Sequence, residues 1–167
     1  MRRREFIALL GSAAAAWPLA ARAQQRTRMR RIGILTAQAE SDPAIKGHLA
    51  IFAKGLHSFG WSEGHNLRIE VRMADGDAGR LNAHAAELAS LKLDLIVSHG
   101  TSVTQIQQQQ TRTIPIVFTT VTDPVGSGLV ESLARPGGNT TGFTNFEFSM
   151  AGKWLELLKE SYRPCTK

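Results

Sequence analysis

Small hydroxyl side chains gather at two places in this sequence of 167 residues, Ser98-His99-Gly100-Thr101-Ser102 and Thr119-Thr120-Val121-Thr122-Asp123-Pro124. Hydroxyls beside a glycine suit the recognition of a carboxylate or another anion. Gly100 lets a ligand approach the backbone, and the Thr101 and Ser102 hydroxyls act with the free amides of a following helix as donors to negative charge. The same two hydroxyls suit a helix N-cap equally well, so their types leave both uses open. At Asp123, ahead of Pro124, an N-cap is the simpler reading.

Catalytic groupings do not assemble from the remaining residues. His48, His57, His65, His84 and His99 fall at no metal-ligand spacing, and the single cysteine, Cys165, supports neither a zinc site nor a Cys-His dyad nor an intramolecular disulfide. Gly126-Ser127-Gly128 lacks the rest of a dinucleotide fingerprint, and no Gly-x-Ser-x-Gly elbow is present. The histidines read as surface or packing residues. No metal, no cofactor and no enzymatic activity are expected.

Alternating elements must hold these loops in place. Ile32-Gly33-Ile34-Leu35 is a short apolar run that predicts a buried strand. Asp42-Pro43 predicts a helix start, and Ile45, Leu49, Phe52, Leu56 and Phe59 form its inward face before Gly60 ends it. Leu67, Ile69, Val71 and Met73 alternate with charged residues, as in a half-exposed edge strand. A helix over 78–90, a strand over 93–97 covered on both faces, a helix over 103–110 and a strand over 114–118 follow. The glutamines at 107–110 read as a solvated helical face. Asp123-Pro124 opens a further predicted helix with Val125, Leu129, Val130 and Leu133 inward, which Arg135-Pro136-Gly137-Gly138 terminates. A strand over 140–145 and a helix over 150–160 complete the order. Alternation of strand and helix implies an α/β fold with a doubly wound parallel sheet. In such sheets ligands bind outside the carboxyl ends of the strands, where Thr36-Ala37-Gln38, Ala74-Asp75-Gly76 and the two hydroxyl-rich runs fall.

The N-terminus stands apart from this domain. Arg2-Arg3-Arg4, the apolar stretch from Phe6, and Ala21-Arg22-Ala23 have the order of a cleavable export signal over residues 1–23. Arg3-Arg4-Glu5-Phe6-Ile7 resembles a twin-arginine signal, with Ala21 and Ala23 as its small-x-small cleavage site; this implies the twin-arginine export machinery as a partner, an arginine-rich Sec signal being the alternative, and either reading makes the periplasm the destination. The stretch is too short to span a bilayer, so a soluble mature protein is expected. The formal charge of +6 includes Arg2, Arg3, Arg4 and Arg22 against Glu5, so the mature chain carries +3. Much of that sits in a basic linker over 24–30, and no basic-aromatic interleaving favours nucleic acid.

A longer pattern is recognisable in Ile114-Pro115-Ile116-Val117-Phe118, Asp123-Pro124-Val125-Gly126-Ser127-Gly128-Leu129-Val130 and Ser132-Leu133-Ala134-Arg135-Pro136-Gly137-Gly138-Asn139-x-Thr141-Gly142. Together with Gly152-Lys153-x-Leu155-Glu156-Leu157-Leu158-Lys159-Glu160, it resembles the ABC transporter substrate-binding protein family that includes tryptophan- and tyrosine-uptake receptors. The resemblance implies a periplasmic-binding-protein type I architecture of two α/β lobes joined by a hinge. It also implies capture of a small-molecule solute, an amino acid or other small carboxylate, for an ABC permease and ATPase. The binding groups it implies correspond here to Gln38, Gly100, Thr101, Ser102, Thr120 and Asp123. Residues 31–160 then form the N-terminal lobe, residues 161–167 an aberrant tail, and the second lobe is missing. A truncated receptor impaired in binding is the expectation, with a small exported α/β enzyme or flavodoxin-like module using Thr101, Ser102 and Asp123, or a non-functional gene remnant, as alternatives.

Overall fold

The computed structural model describes residues 28–145 and 150–162. The signal residues Arg3, Arg4, Phe6, Ala21 and Ala23, and Cys165, lie outside the described residues. The elements are β1 (Arg30–Thr36), α1 (Pro43–Ser58), β2 (Leu67–Met73), α2 (Ala78–Ser90), β3 (Leu95–His99), α3 (Thr101–Gln110), β4 (Ile116–Val121), β5 (Thr140–Thr144) and α4 (Met150–Ser161). All strand pairs are parallel, in the order β2-β1-β3-β4-β5, so the α/β sheet is as the alternation implies. The chain steps outward from β1 to β2 and then returns past β1 to β3, which puts the topological switch point between β1 and β3. No helix among the described residues is long and apolar enough to cross a membrane.

Side chains of successive strand residues point to opposite faces, and each face has its own core. On one face Leu35 and Ile96 meet Leu81, Ala85 and Leu88 of α2 and Val103 of α3. Leu88 is fully buried there, a contribution of about 2 kcal/mol. On the other face Ile32, Ile34 and Val97 meet Leu49, Phe52 and Leu56 of α1. That helix sits more loosely: Ile45 is its one buried side chain, and Ile51 is 71% exposed. Asp42 caps α1 by accepting from the Ala44 amide, with Pro43 in the first turn, as its residue types predict. Phe59 was expected inward but is 83% exposed, because it is the C-cap, where the backbone has left the helical path.

The two ends of the sheet are fixed by different means. At the amino end, Asp94 accepts from the Arg31 amide at 3.0 Å and from Arg30 Nη1 at 2.6 Å, tying β1 to the start of β3. Desolvation would push the Asp94 carboxyl up, but the Arg31 amide and the Arg30 guanidinium outweigh it and hold the carboxyl below the usual range. At the β2 edge, Glu70 is flanked by Arg68 at 2.7 Å and Arg31 at 3.5 Å, while Arg72 reaches across to Glu87 of α2 with two bonds, 3.0 and 2.7 Å.

Three further expectations are corrected. β3 and β4 each lie about two residues later than their apolar runs suggest, so Ser98 and His99 belong to the strand and not to the turn after it. No helix forms over 123–133, where the chain makes a single turn. Gly128 adopts a left-handed φ of 71°, both the Leu129 and Val130 amides bond back to the Pro124 carbonyl, and Val125 and Leu133 stay exposed. Two glycines so close to the start remove the propensity to continue, and Gly128 acts as a stop. The glutamine run is not a uniformly solvated face either. Gln107 is fully buried, and Gln108 Nε2 donates to the Leu129 carbonyl at 2.8 Å and to Thr140 Oγ1 at 2.9 Å. Because residues 123–133 lack a helical ladder, the Leu129 carbonyl takes its donor from α3 instead.

α4 buries no residue, and Leu155, Leu157 and Leu158 are each more than 60% exposed (63%, 62% and 63%).

Gly142 of β5 lies against Phe118 so closely that a methyl group at its Cα would fall 2.6 Å from the Phe118 ring and collide with the Phe118 carbonyl oxygen. Gly142→Ala must therefore push β5 off β4, with an expected loss of about 1–3 kcal/mol in a urea unfolding titration. An unchanged midpoint would show that the edge strand yields freely.

Candidate functional site

Parallel pairing brings the carboxyl ends of β1, β3 and β4 level. Thr36 is the register partner of His99, and His99 of Thr119. Along this edge stand the residues singled out by type. Gln38 follows β1, and its side-chain oxygen accepts from the Thr36 hydroxyl while its amide donates to Thr36 Oγ1 at 3.3 Å. Gly100, Thr101 and Ser102 form the β3–α3 junction, Thr120 is the penultimate residue of β4, and Asp123 follows that strand.

Gly100 is the N-cap of α3 with φ 104° and ψ 160°, a conformation closed to other residues, and no side chain caps the helix. The expected alternative, in which Thr101 or Ser102 is the cap, is therefore not realised. The first amides of a helix have no intrahelical acceptor, so those of 101–103 point outward beside two hydroxyls that have no partner among the described residues. Asp123 behaves as its pairing with Pro124 suggests. Its Oδ1 accepts from the Gly126 amide at 2.7 Å and caps the short turn, so its carboxylate is committed locally.

Two residues that the sequence reading set aside join this edge. His99 Nδ1 stands 3.1 Å from Thr119 Oγ1 and 3.2 Å from Thr120 Oγ1. Its ring lies 6.1 Å from that of His48 on α1, tilted by 47°. Thr120 holds a left-handed φ of 59°, which costs a β-branched residue about 1–3 kcal/mol. These groups border a groove of about 370 Å³ between α1 and the strand ends, walled by Ile34, Ile45, Leu49, Phe52 and Val97. Position could have revealed His99, since it immediately precedes Gly100; His48 has no such signal.

A larger groove of about 540 Å³ opens at the β2 edge beside Arg72, Asp75 and Arg80. Its arginines are already engaged, Arg80 with Asp75 at 3.0 Å and Arg72 with Glu87 at 2.7 Å, so they offer little to a ligand.

A chain with this sheet and this loop-lined edge has known counterparts. Residues 33–164 match the family described as ABC transporter substrate binding protein. The chain belongs to that family. Among curated relatives of this family member, the tyrosine-binding protein of Clostridioides difficile (strain R20291) is 37% identical over 134 residues, 79% of this chain and 37% of the relative. Among solved structures, a ligand-free, open substrate-binding protein with adhesive properties from Clostridium difficile aligns with TM-score 0.68 and 36% identity, over 79% of this chain and 43% of that one. A Streptococcus pneumonia ABC domain in complex with L-Trp aligns with TM-score 0.63 and 28% identity, over 70% of this chain and 38% of that one. A conserved domain protein from Vibrio cholerae gives 0.66 and 31%, over 83% and 45%. The chain thus spans less than half the length of the relatives it matches.

Burial first, and the neighbouring His48 second, hold the His99 imidazole below its ordinary value. The unfolded chain, with an ordinary imidazole, then binds the proton first as pH falls, so this residue lowers stability on acidification from about pH 6.5 until its folded value is passed. Thermal unfolding scans should show that decrement in the native protein and a shallower one in His99→Gln. Parallel pH profiles of the two proteins would contradict the assignment.

Proposed function

We propose that this chain is the solute-binding component of an ABC importer, exported through its twin-arginine signal over residues 1–23 to the periplasm, where it passes an amino acid or other small carboxylate to a permease and ATPase. The observation that carries the reading is the uncapped start of α3, where outward amides follow Gly100 beside the Thr101 and Ser102 hydroxyls at the switch-point edge. A helix N-terminus favours negative charge through its free donors and its dipole. Gln38, Gly100, Thr101, Ser102, Thr120 and Asp123 are the proposed binding residues. Asp123 acts mainly by shaping its turn, because its carboxylate already has a donor. Residues 31–160 supply one wall of the cleft. Tyrosine in the name of one relative and L-Trp in the structure of another support an amino acid as the ligand.

Ser102→Glu separates binding from stability. A carboxylate in the first turn of a helix is favourable to the helix by about 0.3–1 kcal/mol, yet it occupies and repels where a solute carboxylate would sit. Calorimetric titration with amino acids should give a loss of affinity of about tenfold or more in Ser102→Glu, with an unchanged or slightly raised melting temperature. Undiminished binding by this variant would remove the α3 terminus from the site.

A further inference from the structure

We propose that His99 reads the negative charge of the solute by taking up a proton as a carboxylate-bearing ligand is captured, so that capture is coupled to pH. This rests on the solute-binding reading above and names the regulation of that same site. His99 is the last residue of β3, one position before Gly100, so its ring and the α3 amides share one strand end. Its Nδ1 is held by the Thr119 and Thr120 hydroxyls, and its open flank looks onto the groove under α1.

What faces the imidazole decides its charge. From β1 come Ile34 and the Thr36 hydroxyl, from β4 the two threonines, and from α1 apolar side chains with His48, a second imidazole 6.1 Å away. Among the described residues, no carboxylate lines the groove. On the elements that flank the groove, Asp42 at the start of α1 accepts from the Ala44 amide at 2.8 Å and Asp123 after β4 from the Gly126 amide at 2.7 Å, while Asp94, before β3, is paired with Arg30 at the opposite end of the sheet. A proton on His99 therefore has no protein counter-charge here and has a like charge waiting in His48. Partial burial adds to the bias toward the neutral ring, in keeping with its lowered pKa. A carboxylate arriving at the strand end supplies the missing counter-charge and reverses that bias. By linkage, a ligand that raises the affinity for the proton is itself bound more tightly as pH falls, by at most about tenfold per pH unit for one proton.

The test uses the full chain, with L-tyrosine as probe and tyramine, the same body without the carboxylate, as control. Calorimetry near pH 6.5 in two buffers of different ionisation enthalpy counts the protons exchanged. L-tyrosine should bind with net proton uptake and about five- to tenfold more tightly near pH 6 than near pH 8, and tyramine without uptake. His99→Gln should abolish the uptake, and His48→Asn should move it to higher pH. In the native protein, the His99 ring resonances followed by NMR should titrate at higher pH once L-tyrosine is added, a readout that does not depend on any variant folding. Binding of L-tyrosine without proton uptake, uptake that survives in His99→Gln, or an unmoved His99 titration would each overturn this inference and leave the solute-binding reading standing. Failure of every amino acid to bind at either pH would overturn both.

Discussion

Parallel pairing of five strands is the constraint on which the rest of the molecule depends. It sends every strand's carboxyl end to one edge of the sheet, so Gln38, His99, Gly100 and Thr120 become neighbours although more than 80 positions separate the first from the last. Each return to that edge needs a crossover, and the three from β1 to β4 each leave a helix to cover a face, whereas the crossover from β4 to β5 runs without one. The Asp94 clamp on β1 at the opposite edge sets the register from which the alignment of Thr36, His99 and Thr119 follows.

The cover is uneven, and the unevenness makes room for chemistry. α2 and α3 close over Leu35 and Ile96, whereas α1 rests on its face through one buried and three half-buried apolar side chains. A helix held that lightly leaves a cleft beneath it at the switch point, and there the imidazoles and hydroxyls meet. The strained Thr120 stands at the same spot. Its left-handed backbone is held by β4 pairing to β5 through the irregular register between Phe118 and Val121.

Much of this was legible in the residues, for identifiable reasons. Apolar runs with Asp-Pro and Gly punctuation marked the strands, α1 and its cap, and the alternation in 67–73 marked an edge strand, because these signals are local. The errors arose where tertiary demands overrode local ones. Leu129 and Val130 have helical spacing with Val125 and Leu133, yet they are buried against Phe118 and Val121 by a turn that two glycines interrupt. Gln107 and Gln108 look like surface residues until the packing around α3 is known: Gln107 is buried against the Ala85 carbonyl of α2, and Gln108 serves a loop that lacks its own hydrogen-bond ladder. His48 and His99 are 51 positions apart, and no one-dimensional pattern brings their rings together. The binding residues implied by family resemblance fall on the strand-end edge, and Asp123 faces its own turn, the local capping role that its place before Pro124 suggests.

The charges on β2 have a consequence of a different kind. Arg68, Glu70 and Arg72 alternate along β2, the outer strand, beyond which no further strand lies among the described residues. A foreign strand seeking to extend the sheet there would have to strip water from three ions and disturb the Arg72–Glu87 fork. Such edges resist templated growth. On an edge strand this row of ions is a guard against aggregation, separate from anything the molecule binds.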